Sequence, residues 1–211
     1  MESCRLTLRW SRRKLRVARR GSAQPLCRQA INNDEMKMTT DVSSSTNGLA
    51  LEPCPSCGAP LGGRAGCQAA LEDLVGRAWA NPSRAAVHNL VVDAYALQHT
   101  EEYGRSAKSF VAHLLQLCCG VESPQDQRLY RGIGRWLDGP ARLTRPADVP
   151  SRGRVTVANV LSGSGEDDYP ELVRQWAREV WTAYSGQHEV VRQRLSAVRA
   201  AGLQSKSSGR S

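Results

Sequence analysis

The sequence predicts a mainly α fold, a small helical bundle with a cysteine-rich knuckle at its N-terminal side. Two observations carry that prediction. From about Gln68 onward, apolar residues recur at three- and four-residue spacing in one segment after another, each bounded by capping residues, Gly or Pro. Ahead of them, "CPSCGAPLGGRAGC" is rich in turn formers and carries three cysteines.

The elements follow in order. A first helix is expected from Gln68 to Trp79, with Ala70, Leu71, Leu74, Val75 and Ala78 on its apolar side. "ANPS" breaks it, and Ser83 is placed to cap a second helix, "RAAVHNLVVDAYALQH". Gly104 breaks the chain again. Ser106 caps a third helix, "AKSFVAHLLQLCC", which Gly120 is expected to end. "SPQDQRLYRGIGRWL" opens with Ser, Pro and Asp, a helix-start pattern. After Asp138 the chain reads as loop. "VTVANVL" fits either a short strand, from its valines, or a short helix capped by Thr156, and the helix is preferred. Two helices close the domain, the first with Leu172, Val173, Trp176, Val180, Trp181 and Tyr184 as its stripe.

Domain organisation is read as residues 1–35, a basic extension; 36–52, a polar disordered linker; 53–200, a single helical metal-binding domain; and 201–211, a disordered tail. The chain of 211 residues carries a net charge of +9. Residues 1–35 hold nine Lys/Arg against three Asp/Glu, hence +6, and leave +3 for the remainder. The basic balance therefore belongs to the extension. Met36 and Met38 follow it, so a misassigned start codon is the favoured explanation, with a genuine basic arm as the alternative. Nucleic acid is accordingly not an expected partner unless that arm is genuine. No apolar run approaches the roughly 18 residues of a membrane helix, so no membrane role is expected. Seven cysteines, two of them adjacent, argue against a disulfide framework and for a cytoplasmic, reducing setting.

Cys54-Pro-Ser-Cys57-Gly has the spacing of a metal knuckle. Two intervening residues let a tight turn present both thiolates to one tetrahedral ion, about 2.3 Å from each sulfur for zinc. Gly58 allows the backbone to fold beneath the ion. Cys67 follows after nine residues as a third sulfur, so the expected cofactor is Zn2+ and the fold becomes a helical bundle with an N-terminal zinc knuckle. The fourth ligand is open: an imidazole would close the site, and a water would leave it catalytic.

The second helix offers the imidazoles. His88, Val92, Tyr95 and His99 share one face at spacings of four, three and four. Either histidine can complete the metal set Cys54, Cys57, Cys67 with His88 or His99, or both can be core residues in a hydrogen-bonded network. If the site is open, Asp93, Tyr95 and His99 are the catalytic candidates, with Asp93, His88 or His99 as the base. His113, Cys118 and Cys119 read as structural, and His188, at the start of the last helix, could point back toward the site.

"CPSCGAPL" with Gly66-Cys67, "AVHNLVVDAYALQH", "SFVAHLLQLC" and "VRQWAREVWTAYSGQHEVVRQRL" together resemble a bacterial family known only as a domain of unknown function. The family pattern reads Cys-Pro-x-Cys-Gly, then Gly-Cys, then His-x4-Asp-Ala-Tyr-x2-Gln-His-Pro. The resemblance covers about residues 53–197 and places Cys54, Cys57, Cys67, His88, Asp93, Tyr95, Gln98 and His99 on motif positions. Thr100 replaces the usual proline, and the loop between Cys57 and Cys67 is shorter than the family pattern. The resemblance implies no known activity. Two functions therefore stand: a binding module with a structural zinc, and a hydrolase-like metal-dependent enzyme.

Overall fold

The computed structural model describes residues 51–79, 81–140, 142–163, 165 and 167–207. The basic extension and residues 36–50 of the linker lie outside the described residues, as do residues 208–211 of the expected tail. Eight α-helices are described: α1 Gly63–Ala78, α2 Pro82–Gln98, α3 Thr100–Tyr103, α4 Ala107–Glu122, α5 Gln127–Leu137, α6 Val157–Ser162, α7 Tyr169–Ala183 and α8 His188–Ser207. No strand occurs among the described residues, and the ambiguous valine segment is the helix α6. Its start is fixed by Asn159, whose side-chain oxygen accepts from both the backbone N–H and the hydroxyl of Thr156.

Several helix ends differ from the sequence expectation, each for a local reason. α1 starts at Gly63, five residues before Gln68, so Cys67 sits on a helix rather than in a turn. Asn81 rather than Ser83 caps α2, accepting from the Ser83 N–H at 2.8 Å. Asp126, not Ser123, caps α5 through the Leu129 N–H. α4 runs through Gly120 to Glu122. A Cβ at Gly120 would press into the Leu90 side chain, so this glycine allows α4 to approach α2 instead of stopping the helix. α8 continues to Ser207, through the first residues of the segment expected as a tail.

α2 is the hub, packed against α1, α4 and α7. Its C-terminal half is buried all round: residues 93–98 form an unbroken buried run. Polar side chains there must find partners inside the protein. Gln98 does so completely. Its amide N–H2 donates to the carbonyls of Arg152 and Val155 at 3.0 and 2.9 Å, and its amide oxygen accepts from the Trp176 indole at 3.0 Å. The Tyr184 hydroxyl donates to the Leu97 carbonyl at 2.8 Å, tying α7 to the same end of α2.

Candidate metal centre

The segment before α1 folds back on itself. The Cys54 N–H donates to the Ala59 carbonyl, and the Gly58 N–H to the Cys54 carbonyl, both at 2.8 Å. Gly58 has a φ of 77°, the left-handed conformation the knuckle requires. Gly62 and Gly63 donate to the Glu52 carbonyl and lead directly into α1. At Gly66 a Cβ would overlap the Leu61 carbonyl, so only glycine lets the first turn of α1 lie against the knuckle. That contact carries Cys67 toward Cys54 and Cys57.

α1 and α2 are joined by residues 79–81, a connection so short that they form an antiparallel hairpin. The C-terminal end of α2 therefore returns to the N-terminal end of α1. His99, the residue after α2, arrives at the cysteines. Its Nε2 lies 3.4 Å from Cys54 Sγ and 3.4 Å from Cys67 Sγ, while Cys57 Sγ lies 3.6 Å from Cys67 Sγ. The donor atoms of Cys54, Cys57, Cys67 and His99 all fall within 4.8 Å of one another, and this group could hold a metal ion. Cys54, Cys67 and His99 are buried; Cys57 is partly exposed.

Hydrogen bonding fixes the imidazole. His99 Nδ1 lies 2.8 Å from the Tyr95 carbonyl oxygen. A carbonyl only accepts, so Nδ1 carries the proton and Nε2 presents its lone pair to the sulfurs. The Tyr95 ring stacks on His99 with centroids 3.8 Å apart, and Tyr103 meets Tyr95 edge-on at 5.7 Å. Both tyrosine hydroxyls donate to Gln68 Oε1, at 3.4 and 2.8 Å. The hydrogen bond with Cys57 is the main influence pulling the Cys67 thiol down, and His99 adds to it. The same bond and burial push the Cys57 thiol up. Around the rim, Ser56 Oγ donates to Glu101 at 3.3 Å, Arg64 donates to Ser56 at 3.1 Å, and Arg152 pairs with Glu101 at 2.7 Å. Gln68 and the Glu101 side of this rim escape sequence reasoning, because Gln68 meets Tyr95 and Tyr103, and Ser56 meets Glu101, from 27 to 45 positions apart.

The other sequence candidates lie elsewhere. His88 stands outside the four-donor group. It lies near the start of α2, its ring 5.7 Å from that of Trp79, and burial pushes its imidazole pKa down. Asp93 is 2% exposed and is also outside the group. Its carboxylate lies 2.8 Å from His113 Nδ1 and accepts from the Tyr130 hydroxyl at 3.4 Å. Burial pushes its pKa up against the opposing pull of His113 and Tyr130. Tyr95 acts as the stacking wall of His99. His188 stacks on Trp181 at 3.9 Å. Cys118 and Cys119 are buried on α4, and burial pushes their thiols up to about 12 and about 11. Thr100, standing where the family pattern has proline, donates to Asp148 at 2.8 Å and anchors the loop ahead of α6.

A protein family matches residues 52–185, more than half of the chain, taking in the knuckle and every helix through α7. The chain belongs to the family of unknown function DUF5946. All four donors of this DUF5946 member lie within the matched region. No curated protein matches the chain, and no solved structure does.

Proposed function

We propose that this DUF5946 protein is a zinc-stabilised helical binding module in which Cys54, Cys57, Cys67 and His99 hold a structural zinc ion. The observation that carries the reading is the size of the donor cage. Zinc at about 2.3 Å from sulfur and about 2.0 Å from nitrogen sets tetrahedral edges of about 3.8 Å between sulfurs and about 3.5 Å from sulfur to nitrogen. Three of the six edges of the cage are 3.6 Å for the sulfur pair Cys57–Cys67 and 3.4 Å for each of two sulfur–nitrogen contacts, and all six fall within 4.8 Å. Three sulfurs with one imidazole are also a donor set that suits zinc, and the Nδ1–H of His99 supplies, to the Tyr95 carbonyl, the outer hydrogen bond such sites use.

Four protein donors favour a closed, structural ion over an open catalytic one. Asp93, one of the three candidate bases of the hydrolase-like alternative, is instead engaged with His113 and Tyr130 in the core. With the ion enclosed, the work of the module falls to its surfaces, as binding to a partner. Elemental analysis of freshly purified, reduced protein tests the assignment. The expected result is one zinc per chain in wild type and in His88→Ala, and its loss in Cys57→Ser and His99→Ala. Zinc retained by His99→Ala, or absent from wild type, would overturn it.

A further inference from the structure

We propose that the four-donor site is also a peroxide-sensitive switch, in which oxidation joins Cys57 to Cys67 and releases the ion; this rests on the zinc reading above. The four ligands are not equivalent. Cys54 is 2% exposed and Cys67 is fully buried, whereas Cys57 is the partly exposed member. A small oxidant from solvent therefore meets Cys57 first. Cys57 also sits in the turn of the knuckle, ahead of a left-handed glycine, where its sulfur can move without disturbing a helix. Cys67 is fixed on α1, with its sulfur 3.6 Å from that of Cys57. A disulfide needs about 2.05 Å, so closing the gap takes roughly 1.5 Å of movement. This contact with Cys57 selects Cys67 as the resolving partner.

The oxidant is hydrogen peroxide, and the chemistry balances. The Cys57 sulfur, a thiolate while it ligates zinc, attacks one peroxide oxygen; the O–O bond breaks, hydroxide leaves, and a sulfenic acid forms on Cys57. The Cys67 thiolate attacks that sulfur, the S–O bond breaks, and a second hydroxide leaves. The two sulfurs lose two electrons, peroxide gains two, and two protons from solvent convert the hydroxides to water. Two of the four donors are then consumed. Cys54 and His99 alone are too few to retain the ion, and the knuckle loses its covalent hold on the end of α2.

The test uses the full chain, purified reduced and with its zinc. Hydrogen peroxide is added in modest excess, released zinc is followed with a chromogenic chelator, and disulfides are mapped by peptide mass spectrometry. The expected result is loss of the bound zinc in step with a Cys57–Cys67 disulfide. Cys54, Cys118 and Cys119 should remain thiols, and dithiothreitol with added zinc should restore the starting state. Zinc retained in peroxide would overturn the switch and leave the zinc module standing. So would a bridge through Cys54, or oxidation beyond the sulfenic acid in place of a disulfide. A chain that neither carries nor takes up zinc before peroxide is added would overturn the zinc reading, and the switch with it.

Discussion

At the scale of single residues, the imidazole of His99 is defined by its backbone partner. The Tyr95 carbonyl holds Nδ1, while the side chain of Tyr95 contributes its ring contacts with His99 and Tyr103 and a long hydroxyl contact to Gln68. On the zinc reading, Tyr95→Phe should therefore keep the ion and lose no more than about 1 kcal/mol, one net hydrogen bond, in urea unfolding. Asp93 makes the opposite case. Removing its carboxylate takes an acceptor from His113 and from Tyr130 inside the core. Asp93→Ala should cost about 3 kcal/mol or more in the same measurement, without changing the zinc content of the folded fraction. The sequence marked both residues as site candidates, because chemistry-bearing side chains at helical spacing look the same whether they face an ion or a core partner.

At the scale of elements, the α1–α2 hairpin decides which histidine reaches the cysteines. His88 and His99 share a face but stand eleven residues apart, about 16 Å along a helix axis at 1.5 Å per residue. One knuckle cannot take both. The signal that chooses between them is the short 79–81 connection, which sends the end of α2 back beside Cys67 and leaves His88 near Trp79 at the turn. The sequence marks the break near residues 79–81, but neither which end of the hairpin the knuckle packs against nor the close approach at Gly66, which depends on where Leu61 lies. Gly66→Ala should force α1 away from the knuckle. Weakened zinc retention in a chelator competition, with helical circular dichroism largely unchanged, is the expected outcome. Another element-scale link joins α4 to α8: Glu122 accepts from Arg192 at 2.7 Å and from the Trp181 indole at 3.0 Å. The Arg192 hydrogen bond is the main influence holding the Glu122 carboxyl below its usual range. A carboxyl lowered in the folded state adds stability that is complete above its ordinary value near 4.5 and fades as pH falls through the lower folded value. The stability difference between wild type and Glu122→Gln, followed by melting temperature against pH, should therefore shrink on acidification across that window.

At the scale of the whole molecule, the four-donor site adjoins the apolar core, whose buried cluster includes Cys54 and Cys67. The core runs through α2, α4 and α7 around Tyr95, Phe110, Trp176 and Tyr184, whereas the ion in our reading pins residues 53–62 to α1 and to the end of α2. Stripping zinc with a chelator should lower the melting temperature without unfolding the bundle. In hydrogen exchange, the amides of Cys54 and Gly58 should lose protection while those within α4 and α7 keep theirs. Equal loss everywhere would mean that the ion supports the whole fold. No described helix is long and apolar enough to cross a membrane.

The sequence by itself determined the helical class, the cysteine knuckle and the family, because these rest on local spacing: the period of apolar residues, caps, and two thiols a turn apart. It also supplied the full list of donors, with both imidazoles still in contention. Only the tertiary structure decided that His99 completes the set, that Asp93 belongs to the core, and that Gln98 is consumed in holding α7 and the loop before α6 to α2. The physical reason is that a buried polar group is defined by its partner. In this protein the partners lie at distances along the chain, from Cys54 to His99 or Gln98 to Trp176, that no local pattern records.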